Sequence, residues 1–71
     1  MINLRLNIEA ERARKRLTKE ELAKTLDISV KTYYNWINGD TDIPGSALLK
    51  MAKLFGTSIE YLLEETEKEV V

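Results

Sequence analysis

Apolar residues recur along most of this chain at intervals of three and four, the spacing that places them on one face of an α-helix. Glycine and proline interrupt the pattern only at Gly39, Pro44, Gly45 and Gly56, where helices are expected to end or begin. The pattern therefore predicts five short helices with tight connections, which is a compact all-α domain.

Capping residues set the boundaries of these helices. Thr18 followed by Glu21 is a capping box that begins the second helix, and Ser29 is a good N-cap for the third. Asn38-Gly39 ends the third helix, because both residues tolerate the left-handed conformation. Ser58 caps the fifth. The predicted helices cover about residues 7–15, 19–26, 30–38, 45–55 and 59–63.

Apolar and polar residues alternate before the first helix, over residues 2–7. This alternation fits either a short extended arm or an early start of the helix, and the sequence leaves both open. We divide the chain into an N-terminal arm (residues 1–6), a single domain (7–63) and an acidic C-terminal tail (64–71).

Composition removes several classes of function. The 71 residues suffice for one domain, and they include neither cysteine nor histidine. Disulfides, thiolate zinc sites and the commonest general base are therefore absent, so we expect no enzyme, no metal and no cofactor. The N-terminal residues lack a long apolar run, which predicts a cytoplasmic protein with no membrane partner. No small-molecule ligand is expected.

Charge is distributed unevenly along the chain. The formal net charge is −1, but residues 1–36 hold eight Lys or Arg against five acidic residues. Residues 37–71 hold three basic residues against seven acidic ones. A basic front half is compatible with a nucleic-acid partner, whereas the acidic tail is expected to be a solvated surface.

The predicted third helix has two chemically different faces when its residues are placed at about 100° intervals. One broad arc is apolar and must pack on the domain: Val30, Tyr33, Tyr34, Trp36 and Ile37. The opposite arc is polar without acidic residues: Lys31, Thr32, Asn35 and Asn38. Lysine can donate to guanine, asparagine can pair with adenine and threonine can contact either, so this arc suits the major groove of DNA.

The segment "LTKEELAKTLDISVKTYYNWINGDTDIP" closely resembles the helix-turn-helix of the lambda repressor/Cro class, also called the XRE family. The resemblance extends to "NIEAERARKRLT" before it and "LLKMAKLFGTSIEYLL" after it, so it covers residues 7–63. The segments "DIP" and "KLFGTSIEYLL" look most like small phage or phage-derived regulators. The resemblance implies a five-helix, lambda-repressor-like domain that binds double-stranded DNA, with the helix-turn-helix at about residues 18–38.

The contact roles of that family fall on identifiable positions. The resemblance implies base contacts by Lys31, Thr32 and Asn35, flanked by Val30 and Tyr34. It also implies phosphate contacts by Arg12, Thr18, Lys19, Ser29 and Asn38. Lys19 stands in the place of the usual glutamine and would favour phosphate or guanine where glutamine favours adenine.

The chain departs from the family pattern at several positions. Asp27 and Arg16 stand where glycine is common at the ends of two helices, and aspartate is expected to adopt the left-handed conformation at modest cost. Ile37 replaces a glutamate that usually pairs with the arginine matching Arg12, so Arg12 is expected to be freer to reach DNA. An acidic loop, Asp40 and Asp42, replaces basic residues and is expected to weaken non-specific binding.

These features favour a transcriptional repressor that binds a palindromic operator as a homodimer, since one such domain contacts few base pairs. The expected dimer interface lies in the fifth helix and the tail: Tyr61, Leu62 and Val70. Two alternatives stay open, the antitoxin of a toxin–antitoxin pair and a protein-interaction module that keeps the fold without binding DNA. The acidic loop and tail favour the latter, whereas Lys31, Thr32 and Asn35 count against it.

Overall fold

The computed structural model describes the backbone of residues 2–64 and 66–68 and the side chains of residues 5–64. It contains five helices: α1 (Leu6–Arg14), α2 (Lys19–Thr25), α3 (Val30–Ile37), α4 (Gly45–Phe55) and α5 (Ile59–Leu63). Two short strands flank them, β1 (Ile2–Leu4) and β2 (Thr66–Lys68). The prediction of an all-α, five-helix domain is confirmed. None of the helices in the described part of the chain is long and apolar enough to cross a membrane.

The two strands pair in an antiparallel ribbon that joins the ends of the described chain. Ile2 lies opposite Lys68 and Leu4 lies opposite Thr66. Residues 2–4 are therefore extended, and the first helix begins only at Leu6. The N-terminal alternation fitted either an extended arm or an early start of the helix, and in the structure these residues are extended. The partner strand was not predicted, because a pairing between opposite ends of a chain has no local sequence signal.

The predicted N-caps are confirmed by their hydrogen bonds. The Thr18 hydroxyl accepts from the Glu21 backbone N–H at 3.0 Å, and the Glu21 carboxylate accepts from the Thr18 N–H at 2.9 Å. Ser29 accepts from the Thr32 N–H at 3.1 Å and Ser58 accepts from the Tyr61 N–H at 3.1 Å. Each bond satisfies a donor that a helix start would leave unpaired.

Left-handed residues end α1 and α2. Arg16 has a φ of 58° and Asp27 a φ of 59°, a region that favours glycine because a Cβ atom is crowded there. The N–H of the next residue then reaches back to the last turn, from Leu17 to Arg12 and from Ile28 to Ala23. This is the Schellman arrangement of helix ends, built here on two residues with side chains.

The core lies where the inner faces of the five helices meet. Its most deeply buried side chains come from every helix: Ile8, Leu22, Tyr33, Met51 and Leu62. The inner stripe of α4 consists of Leu48, Met51 and Phe55, which are buried, and Ala52, which is partly buried against the core. The packing holds α2 and α3 on the rest of the domain and leaves the outer face of α3 open.

Candidate nucleic-acid interface

The outer face of α3 is polar and accessible. Lys31 and Asn38 are exposed, and Thr32 and Asn35 are partly exposed. Tyr33, Trp36 and Ile37 on the inner face are buried in the core. The predicted division of this helix into a packed and a polar face is confirmed for these seven residues. The polar face offers an ammonium, a hydroxyl and two amides, which are groups that can hydrogen-bond to base edges.

Tyr34 and Val30 lie at the border between the two faces of α3. The Tyr34 side chain is 44% exposed, so its assignment to the packed arc is wrong, while its expected position at the flank of the polar face agrees with the structure. Val30 is partly buried against the core. The Lys19 ammonium, at the start of α2, lies 4.9 Å from the centroid of the Tyr34 ring. This distance permits a cation–π interaction.

The hydroxyls of Thr18 and Ser29 serve first as helix caps. Ser29 also donates its hydroxyl proton to the Thr32 hydroxyl at 3.0 Å. Thr18 accepts from the Glu21 N–H, which leaves its own proton available to a phosphate oxygen. Thr18 is thus the better placed of the two predicted phosphate contacts at helix starts.

Arg12 is partly buried, and its guanidinium is bound within the protein. Its Nη2 donates to Glu9 Oε2 at 2.8 Å, its Nε donates to the same oxygen at 3.3 Å, and its Nη1 donates to the Leu17 carbonyl. The expectation that Arg12 is free to reach DNA is wrong, because Glu9 takes the place of the missing partner on α3. The spacing of Glu9 and Arg12, three residues apart on a helix, is a sequence signal for this ion pair.

Glu9 also binds the inner face of α3. The Tyr33 phenol donates to Glu9 Oε1 at 2.7 Å. Burial raises the pKa of Glu9, but hydrogen bonds from Arg12 and Tyr33 outweigh it, so the pKa lies below its usual value. Burial, together with the bond to Glu9, raises the pKa of Tyr33, which keeps the phenol protonated and able to donate at neutral pH. Glu9 therefore fixes the position of α3 on α1.

Arg5 supports the other end of α3, a role that the sequence did not predict. Its side chain is buried, and Nη1 donates to the carbonyls of Trp36 at 2.8 Å and Thr41 at 2.9 Å. Its backbone N–H donates to the Ile37 carbonyl at 3.0 Å. A cation at the C-terminus of a helix is favoured by the helix dipole. A single arginine in an alternating segment gave no signal of this role.

The expected dimer interface is only partly at the surface. Leu62 is fully buried, so it offers no contact to a second copy, and its assignment to the interface is corrected. Tyr61 is partly buried, and its hydroxyl donates to Glu11 at 3.1 Å. Val70 lies outside the described residues.

The acidic loop after α3 lies on the surface. Asp40 and Asp42 are exposed, and an oxygen of Asp42 lies 4.0 Å from Arg5 Nη2. Two carboxylates therefore stand just past the C-terminus of α3. Among the described side chains, no group of three or more acidic residues is arranged to hold a metal ion.

A tight turn joins α2 to α3, and α3 packs its inner face on the domain and presents a polar outer face. This arrangement defines a helix-turn-helix DNA-binding domain. The comparison with protein families agrees: the model of the helix-turn-helix family matches residues 8–62. The chain belongs to this family, of lambda repressor/Cro (XRE) type, and is a DNA-binding transcriptional regulator. Neither the curated proteins nor the solved structures contain a match to it.

Proposed function

We propose that this protein is a cytoplasmic repressor that binds a palindromic operator as a homodimer and thereby blocks a promoter. The observation that carries the proposal is the outer face of α3, where Lys31, Thr32 and Asn35 are accessible and lack a carboxylate among them. Repression by occlusion requires only that the bound dimer overlaps the promoter, because no contact with the polymerase is needed.

The proposed contacts follow from exposure and donor chemistry. Lys31, Thr32 and Asn35 read base edges in the major groove, with Tyr34 and Val30 at the flanks. The hydroxyl of Thr18 and the amide of Asn38 are available to backbone phosphates beside that face, and the ammonium of Lys19 can donate either to a phosphate or to a guanine. Ser29 and Arg12 contribute by holding the helices in place, since their donors are engaged within the protein.

Two exposed leucines support a homodimer. Leu6 is 37% exposed and Leu63 is 38% exposed. They belong to the same end of the molecule, because Asn7 Nδ2 donates to the Tyr61 carbonyl at 2.8 Å and so joins the start of α1 to α5. A contiguous apolar patch on the surface of a small domain favours association. The proposed dimer presents its two α3 helices to half-sites about 34 Å apart, one turn of DNA.

A selection of bound sequences from a pool of random DNA duplexes tests this proposal. The expected result is a palindromic motif whose half-sites are about one helical turn apart, ~34 Å. Analytical ultracentrifugation of the protein with the selected duplex should give two copies per site. The matched control is the Lys31→Ala/Asn35→Ala variant, which should enrich nothing. A parent protein that also enriches nothing would overturn the proposal, and a motif without symmetry would overturn the dimer.

A further inference from the structure

The ammonium of Lys19 and the ring of Tyr34 form a contact between α2 and α3 on the outer side of the domain. Lys19 is the first residue of α2, and its Nζ lies 4.9 Å from the centroid of the Tyr34 ring. An ammonium over an aromatic ring is attracted by the negative charge of the ring face. The contact therefore restricts a side chain that would otherwise sample many directions in water.

The Tyr34 ring is itself held in place. It meets the Tyr33 ring edge to face, with centroids 6.5 Å apart and planes at 67°. The Tyr33 ring is fully buried, and its hydroxyl is bound by Glu9. Aromatic pairs in this geometry stabilise each other beyond the area that they bury. Glu9 thus orients Tyr33, Tyr33 orients Tyr34, and Tyr34 sets the position of the Lys19 ammonium.

This position adjoins the base-reading face. Tyr34 comes three residues after Lys31 and four residues before Asn38, and residues with these spacings are neighbours on a helix surface. Tyr34 is also 44% exposed, so its ring borders the polar face without being covered. Lys19 is therefore drawn from the start of α2 to the edge of the α3 surface that carries Lys31 and Asn38.

We propose that Lys19 reads a base, not a phosphate, and that Tyr34 is the positioning residue that directs it. The ammonium has three donors, and on the ring face it keeps protons free to donate to O6 and N7 of a guanine at the edge of each half-site. A phosphate contact would carry no sequence preference. This inference rests on the proposed function and names one element of the sequence that the site recognises.

The experiment is the same selection from random duplexes, carried out in parallel with four variants. The parent should prefer guanine at one position of each half-site, and Lys19→Gln should reduce that preference by about 10-fold. Tyr34→Leu should weaken the preference at the same position, and Tyr34→Phe should retain it because the ring remains. Lys24→Gln is the matched control, since it removes an exposed charge from the same helix and should change no position.

Three outcomes would overturn the inference. Lys19→Gln could weaken binding to all sequences equally and reduce the salt slope by about 0.9, which is the behaviour of a phosphate contact. Tyr34→Leu could alter a different position from Lys19→Gln, so that the two residues do not act as a pair. Finally, Lys19→Gln could select the same motif as the parent, which would overturn this inference and leave the proposed function intact. If circular dichroism shows that Tyr34→Leu is unfolded, the selections with Lys19→Gln and Tyr34→Phe decide the question.

Discussion

The Tyr33 phenol on α3 donates a hydrogen bond of 2.7 Å to the Glu9 carboxylate on α1. The same carboxylate accepts two bonds from Arg12, whose Nη1 also donates to the Leu17 carbonyl in the connection to α2. One acidic side chain therefore ties α3 to α1 and to the segment that precedes α2. The charge of Glu9 stabilises the fold, and the same hydrogen bonds set the position of α3.

Replacing Glu9 by glutamine should lower the free energy of unfolding by about 1–2 kcal/mol at pH 7, because hydrogen bonds to a charged group are stronger than those to a neutral one. The pKa of Glu9 is lowered in the folded protein from an ordinary value of 4.5. The stabilisation is therefore fully present above about pH 4.5 and is lost as the pH falls through the folded pKa. Urea unfolding of parent and Glu9→Gln at pH 7 and pH 3 measures both effects. Glu64→Gln, at an exposed carboxylate, is the control, and a difference that persists unchanged at pH 3 would contradict the role of the charge.

Replacing Arg5 by methionine should destabilise the domain by about 2–4 kcal/mol, since it removes a charged donor shared by two carbonyls at the end of α3. Methionine keeps the apolar stem, so the loss comes from the donors. Denaturant unfolding measures the change, with the exposed Lys15→Met as control. An unchanged midpoint would mean that the end of α3 is held by packing alone.

Replacing Arg16 by glycine should stabilise the domain by about 0.5–1 kcal/mol, because glycine adopts a φ of 58° without the Cβ crowding that arginine suffers there. The flexibility that glycine adds to the unfolded chain offsets part of the gain. Thermal melting measures the effect. Gly56→Ala, at a φ of 65°, is the converse variant and should melt at a lower temperature than the parent.

Replacing Lys31 or Asn35 by alanine should weaken binding to the selected operator by roughly 1–3 kcal/mol each and leave the fold intact, because each loses a base contact and little packing. A binding titration on the operator and on a scrambled duplex separates specific from general effects. Binding equal to that of the parent would show that α3 does not enter the groove.

The converse control for these two variants is Trp36→Ala on the buried face of the same helix. It should cost roughly 3–5 kcal/mol of stability through the cavity that it leaves. Circular dichroism melting distinguishes the two kinds of variant.

Replacing both Asp40 and Asp42 by lysine should raise the affinity for any duplex sequence and steepen its salt dependence. The two exposed carboxylates lie just past the end of α3, near the expected path of the DNA backbone. Each added cation that meets a phosphate should change the slope of affinity against salt by about 0.9. Lysines at Glu60 and Glu64, on and beside α5, provide a charge-matched control. An equal increase in both double variants would mean that the effect comes from net charge alone.

The sequence was sufficient for the helices, their caps and the buried face of α3. The cap bonds of Thr18, Ser29 and Ser58 span three residues, so they depend on the local chain alone. The periodic burial of Tyr33, Trp36 and Ile37 follows from helix geometry in the same way. The family motif could be read for the same reason, since its parts are short segments with characteristic spacing.

The tertiary structure alone assigned the partners of Arg5, Tyr33 and Tyr61. Arg5 meets carbonyls 31 and 36 residues away, and Tyr61 meets Glu11 across 50 residues. It also decided that Leu62 is buried, whereas the sequence had placed it at a dimer interface. It likewise decided that Tyr34 is exposed, whereas the sequence had placed it on the packed arc. These outcomes depend on which helix faces meet and at what angle. A helical wheel gives the direction of a side chain from its own helix, but only the packing of the neighbouring helices decides whether that direction leads to solvent or to another side chain.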